Sequence, residues 1–274
     1  EGPAARLAAL SAAEMFLFPI DNLQESFGIA PVEAMAAGLP VIASDWDGIR
    51  DTVDGDAGIR IPTLGARAEH TILTGLRHFG GTDNYIQYLS QTSAITSVDV
   101  PAMAAAISAL ARDPDRRARM GRAAQARARM LFDWAVVVPQ LQDLFAELAA
   151  IRAAARDEDH PPIPAALLPV APAPMALFSG FPTETLPATG TRFRARTMPG
   201  QPAPGAMFAL RDYLATRRIF ETEESILTLH RALVAAGEGG VAPSELAAAT
   251  GLHPLKADRI LLWLTKYGYA ERTE

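Results

Sequence analysis

Glu25-Ser26-Phe27-Gly28-Ile29-Ala30-Pro31-Val32-Glu33-Ala34-Met35-Ala36-Ala37-Gly38-Leu39-Pro40-Val41 is the most informative run in this chain of 274 residues. The segment Ile29 to Ala37 predicts a helix. Pro31 falls in its first turn, where a missing N–H costs nothing, and Gly38 supplies a left-handed stop. The free backbone N–H groups of the helix start then lie near Ser26, Phe27, Gly28 and Ile29. Gly28 has no side chain to obstruct an approach to that backbone. A helix start of this kind after a buried strand is a ready anion site. Glu25 lies just outside it and Glu33 roughly one turn inside. A diphosphate at the helix start would bring attached sugar hydroxyls near both carboxylates, which accept hydrogen bonds from hydroxyl pairs.

The flanks extend the pattern. Met15-Phe16-Leu17-Phe18 is a short apolar run stopped by Pro19, and Leu39 to Ser44 is another. Both suit strands buried on two faces of a parallel sheet. Ile59-Arg60-Ile61 predicts a third strand. Strand, helix, strand in this rhythm gives an α/β layer with right-handed crossovers. Residues 64–98 interrupt it and read as an insertion, with an amphipathic stretch Ala68 to Phe79, a Gly80-Gly81 break and an aromatic stretch from Tyr85. Three helices follow: one opened by Pro101 and ended at Asp113-Pro114, a basic one from Arg116 to Met130, and a long amphipathic one from Trp134 to Ala155.

With its flanks in register, the run resembles the retaining family-four glycosyltransferases, which have the GT-B architecture of two Rossmann-like domains. Their hallmark is a pair of glutamates with seven residues between them at such a strand-to-helix junction, and Glu25 and Glu33 match it. Phe27-Gly28, Glu33 to Ala36 and Gly38 to Val41 match the surroundings. The likeness covers roughly residues 6 to 150, upstream through Phe16 to Pro19 and downstream to the Phe132-Asp133-Trp134 run, near where such domains close. The resemblance implies that Glu33 holds the ribose hydroxyls of a nucleotide-sugar donor. Glu25 would be the catalytic-site carboxylate on the donor sugar, and amides around Ser26, Phe27, Gly28 and Ile29 would hold the diphosphate. It implies no bound metal or cofactor, and an acceptor of carbohydrate or lipid-linked type. The family's basic pair and acceptor domain would precede residue 1. Since the chain opens without Met, it is expected to be the C-terminal, donor-binding portion of a longer enzyme, inactive by itself. Asp45-Trp46-Asp47-Gly48-Ile49-Arg50-Asp51 departs from the pattern, standing where relatives often have two glycines and then a glutamate.

The expected fold class is α/β, a partial Rossmann-like parallel sheet over residues 1–156, with a small mostly helical domain behind it. Between them, residues 157–205 hold eleven prolines from Pro161 to Pro204. That composition favours extended chain and reads as a linker without a core. The cluster Arg192-Phe193-Arg194-Ala195-Arg196 within it reads as a solvated patch. Residues 206–274 give helix, short helix, tight turn, helix and strand, the order of a winged helix-turn-helix.

Charge then limits the partners. The net charge is −6, and from residue 221 onward eight acids face five bases. Phosphate neutralisation supplies most non-specific DNA affinity, so the tail is expected to dock on protein, within the chain or outside it, and not on nucleic acid. There is no cysteine, which excludes thiol and disulfide chemistry. No unbroken apolar run approaches the roughly 18 residues of a membrane span, and nothing resembles a secretion signal. The expected location is the cytoplasm, extending to a peripheral place at the inner face of the membrane. Asp45-Trp46-Asp47 imitates an acidic metal-nucleotide motif, but its strand-helix-strand context argues for a solvated loop. His70, His78, His160, His230 and His253 lack zinc-like spacing, and Phe79, Tyr85 and Tyr88 are expected to pack the insertion. A regulatory or scaffold protein, with a degenerate α/β layer and a partner-binding tail, is the alternative.

Overall fold

A computed structural model describes residues 2–155, 173–210 and 220–273. The five prolines of the linker between Pro161 and Pro172, and His160, lie outside the described residues.

The α/β layer begins with helix α1 (Pro3–Ala12) and strand β1 (Phe16–Phe18). Helix α2 (Ile29–Ala36), strand β2 (Val41–Ser44), the short helix α3 (Ile49–Thr52) and strand β3 (Gly58–Ile61) follow. The strands form a parallel sheet in the order β1-β2-β3, with Phe16 beside Val41 and Val41 beside Gly58. Central β2 is buried along its whole length, which is why Val41 to Ser44 does not alternate in polarity. Val41 and Ala43 pack with Ala34, Met35 and Trp46 on one side, while Ile42 packs with Ile61, Leu110 and Met120 on the other.

The expected insertion contributes strand β4 (Thr63–Gly65), a 3-10 turn at Ala68–Thr71, helices α4 (Ile72–Phe79) and α5 (Tyr85–Ala94), and strand β5 (Ser97–Val98). Its two helices are joined through Asp83, which is almost fully buried. Arg77 donates to both oxygens of that carboxylate, at 3.0 and 2.7 Å, and Gln91 donates at 3.0 Å. The Arg77 guanidinium holds the Asp83 carboxyl below its ordinary range.

Helices α6 (Val100–Arg112), α7 (Pro114–Leu131) and α8 (Trp134–Ala154) then close the layer. Each is started by an aspartate whose side chain accepts a first-turn N–H: Asp99, Asp113 and Asp133. Helix α8 has no buried residue. Although no unbroken apolar run was expected to reach membrane-span length, the helical stretch Pro114–Ala154 holds an unburied window of mean hydropathy 1.2 that meets the requirement by length and composition. Asp143 and Glu147 interrupt the apolar residues of α8, as in an amphipathic helix.

The remaining elements are helix α9 (Pro174–Leu177), strands β6 (Glu184–Thr185) and β7 (Arg192–Ala195), helices α10 (Pro204–Leu210), α11 (Glu223–Ala235), α12 (Pro243–Thr250) and α13 (Pro254–Lys266), and strand β8 (Ala270–Thr273). Residues 174–205 are not the coreless linker that proline content suggests. Strand β6 pairs with β4, and β7 pairs antiparallel with β8. Met175, Leu186 and Phe193 are fully buried. They share one core with Leu64, Ala94 and Ile95 of the insertion and with Leu229, Leu261 and Trp263 of the tail. The basic cluster belongs to this unit as well: Arg192 meets Glu245, Arg194 meets Glu238 and Glu271, and Arg196 meets Glu271. Its arginines stay partly exposed, so the cluster is a solvated strand edge that carries surface ion pairs. Insertion, residues 173–205 and the described residues of the tail therefore form a single composite unit.

Candidate functional site

All three parallel strands end on the same edge, at Phe18, Ser44 and Ile61. Ligands of open α/β sheets bind outside this carboxyl edge. The loop leaving β1 carries Glu25 to Gly28, and the loop leaving β2 carries Asp45 to Gly48.

Gly28 caps α2 in a left-handed conformation, φ 79°. A Cβ there would lie 2.7 Å from Ile49 Cδ1, so both the conformation and the space call for glycine. Gly38 has φ 84° and donates to Met35 O at 2.9 Å, ending the helix as its sequence predicts. Gly48 lets the two carboxyl-edge loops touch, because a Cβ at this position would stand 2.0 Å from Ser26 O. Phe27 is about half-exposed, and its ring meets Phe132 edge to face at 5.6 Å. Ile29 is largely exposed.

The two glutamates have different partners. Glu25 Oε1 accepts from Gly28 N at 2.8 Å and, more weakly, from Phe27 N at 3.4 Å. Two of the amides expected to be free at this helix start are thus engaged by the neighbouring carboxylate. Glu33 pairs with Arg6 of α1 at 3.0 Å. It lines a 350 Å³ cleft with Pro3, Arg6, Leu7, Leu10 and Ala36. Arg6 is the basic residue that sequence reasoning missed. Its only local signal was a lone arginine on an alanine-rich helix.

The Asp45 loop is held from outside the α/β layer. Asp45 accepts from Arg50 Nε at 3.0 Å and from Thr183 Oγ1 at 2.9 Å. Arg50 also donates to the carbonyls of Gly180 and Phe181, at 2.8 and 3.0 Å. Trp46 is fully buried and meets Phe181 edge to face at 5.6 Å. Asp45 is therefore a structural anchor within this loop, and the proline-rich segment covers what reads in sequence as a solvated loop. Among the described residues, Ser44 Oγ and Trp46 Nε1 are buried without a hydrogen-bond partner. Both stand at the carboxyl end of β2.

Elsewhere, Tyr85, Tyr88 and His78 form an aromatic group, with His78 and Tyr88 4.7 Å apart. Burial raises the Tyr88 phenol. His70 is wholly buried and accepts from Arg67 N through Nδ1 at 3.0 Å. Its Nε2 therefore carries the proton and donates to Asp258 Oδ2 at 3.0 Å. A further cleft of 260 Å³ lies between β4, β5 and the β7–β8 pair, lined by Asp99, Glu184, Arg196, Glu271 and Arg272. None of the expected donor residues lines it.

Comparison with known proteins agrees with the glutamate-bearing segment. Residues 4–73 match the family described as glycosyl transferases group 1. A phosphatidyl-myo-inositol mannosyltransferase of Mycobacterium leprae is 32% identical over 148 residues, which is 53% of this chain and 30% of that protein. An alpha-maltose-1-phosphate synthase of Mycolicibacterium smegmatis is 29% identical over 142 residues, 52% of this chain and 29% of the relative. Among solved structures, sucrose-phosphate synthase from Thermosynechococcus elongatus is 26% identical with a TM-score of 0.36, covering 52% of this chain and 27% of that one. The chain spans under a third of the length of the curated relatives it matches.

Proposed function

We propose that this chain, whose residues 4–73 match the group 1 glycosyltransferases, contributes the donor side of a retaining transfer from a nucleotide-diphosphate sugar. The observation that carries this reading is the placement of Glu25 to Glu33. The family segment puts a left-handed Gly28 and the start of α2 on the carboxyl edge of a parallel sheet, where anions and nucleotides are bound.

The roles follow the chemistry available. The amides of Phe27 and Gly28 already serve an anionic acceptor, the Glu25 carboxylate. A donor diphosphate would take over those N–H groups, one acceptor replacing another at little cost in unpaired donors. Glu25, so released, would turn to the sugar hydroxyls next to the reacting carbon. Ser26 and Ile29 would complete the backbone cradle. Glu33, held by Arg6, would accept from the ribose hydroxyls. In the transfer, the bond from the anomeric carbon to the diphosphate oxygen breaks, and a bond to an acceptor hydroxyl forms on the same face. The nucleoside diphosphate leaves with the electron pair, and the acceptor proton passes to it or to solvent. The backbone N–H groups stabilise the charge growing on the leaving group, so the proposal calls on no metal or organic cofactor.

The acceptor is read as a carbohydrate or lipid-linked alcohol, in keeping with relatives named for phosphatidyl-myo-inositol and maltose-1-phosphate. The tail, whose α11, α12, α13 and β8 follow one another as in a winged helix, is read as a docking module. Its basic residues are engaged internally: Lys256 and Arg259 with Glu221, and Lys266 with Asp21. The non-catalytic alternative is not favoured by the glycosyltransferase relatives.

The test uses protein expressed from its complete reading frame, titrated calorimetrically with UDP, GDP and ADP sugars. Glu33→Ala should weaken binding of whichever donor binds by about ten-fold or more, the value of a charge-assisted hydrogen bond or two. Unchanged affinity overturns the assignment.

A further inference from the structure

The loop carrying Glu25 is fastened at its base by the far end of the chain. Lys266, the last residue of α13, is 245 positions from Asp21, and its Nζ contacts Asp21 Oδ2. The same ammonium donates to the carbonyls of Ser93 and Thr96, at 2.9 and 3.3 Å. Ser93 Oγ in turn donates to the other Asp21 oxygen at 2.7 Å. The Lys266 side chain is only 12% exposed, so these contacts are largely shielded from water and salt.

From Asp21 the fastening passes along the loop. Leu23 is buried in a core on which Tyr88 and Leu89 of the insertion also pack. The Asn22 side chain accepts from Gln24 N at 2.9 Å, and Glu25 N donates to Asn22 O at 3.4 Å. Glu25 then accepts from Gly28 N. Tail, insertion and donor loop are thereby linked from Lys266 to the start of α2 by polar contacts at Asp21, Asn22 and Glu25 and the short backbone between them.

We propose that Lys266 is a positioning residue for the donor loop: the composite unit sets the place of Glu25 through Lys266, Asp21 and Ser93. This rests on the donor reading given above. A lysine suits the task because one ammonium satisfies a carboxylate and two carbonyls at once, and it also answers the negative end of the α13 dipole. The tail then acts on the donor site without touching the donor.

The test compares wild type, Lys266→Met, Lys266→Arg, Asp21→Asn and Lys256→Met, all from the complete reading frame. Lys256→Met is the control, since it removes a lysine of the same helix that pairs with Glu221 away from the loop. Hydrogen exchange of residues 20–28 is read together with affinity for UDP, GDP and ADP sugars. Lys266→Met and Asp21→Asn should each speed exchange in the loop and weaken donor binding by about ten-fold. Exchange in α11 and α12 should not change. Lys266→Arg should restore both properties, and Lys256→Met should alter neither. Asp21→Asn keeps the experiment decisive if Lys266→Met fails to fold. Unchanged loop exchange overturns the proposal, as does faster exchange spread evenly through the tail, or a loosened loop with unchanged donor affinity. A wild type that binds no nucleotide sugar overturns the donor reading and the positioning role with it, while loop exchange still reports whether the fastening exists.

Discussion

Helices α2 and α13 show two ways in which this molecule holds a helix in place. Helix α2 is eight residues long, and its flanking geometry comes from near neighbours: Gly28 and Gly38 in left-handed conformations, and Glu25 beside the first turn. Helix α13 buries seven of its thirteen residues, and its polar partners lie far away in sequence. Asp258 meets His70 and Arg67, Arg259 donates to the His70 carbonyl at 2.9 Å, and Lys266 reaches Asp21. The start and stop of the first helix are set by near neighbours, although α7 packs against it, whereas the second takes its polar partners from far along the chain. The α/β layer can therefore bear a family signature readable in one short run.

The difference can be broken most forcefully in the shared core. Leu261→Ala removes a fully buried side chain of α13, and urea unfolding should report a loss of about 3 kcal/mol. If insertion and tail are one unit, hydrogen exchange should also quicken in residues 85–98. Exchange that quickens in the tail alone would show two separate units.

Gly48→Ala tests the local side. Its methyl group would strike the Ser26 carbonyl, so the loops leaving β1 and β2 must separate, at a cost of about 2 kcal/mol. Donor affinity should fall with stability, while protection of α11 and α12 persists. Retained affinity would mean that contact between these loops is not needed at the site.

A smaller effect sharpens the comparison through pH. Burial pushes the His230 imidazole of α11 below its ordinary value. Above about pH 6.5 the ring is neutral in both the folded and unfolded chain. As the pH falls through that value the unfolded chain takes up a proton that the folded chain resists, so stability declines. Urea midpoints at pH 7.5 and 5.5 should therefore differ less in His230→Gln than in wild type. An equal difference would remove His230 from the account.

These contrasts explain what the sequence could disclose. Pro31, Gly28 and Gly38 specify a helix start and stop within a dozen residues, so the strand-helix-strand unit and its glutamates were legible. The partners of the Arg192 to Arg196 cluster were not legible, because its acids, Glu238, Glu245 and Glu271, come more than forty residues later. Proline content suggested that residues 174–205 lack a core, but Leu186 and Phe193 are buried by side chains contributed from both flanking regions. The aspartate-rich loop gave no sign that Phe181 and Thr183 would cover it. At the site, the glutamate spacing was plain, yet the engagement of the Phe27 and Gly28 amides by Glu25 was not. The same carboxylate can face a ligand or its own backbone, and sequence does not distinguish the two.

The central claim is that the amides from Ser26 to Ile29, with Glu25 and Glu33, form a donor site. The most direct measurement is hydrogen exchange of the protein from its complete reading frame, with and without a saturating nucleotide sugar. Protection concentrated in residues 25–36 is the predicted result. A bound donor that leaves those residues unchanged and protects another part of the chain would contradict the claim.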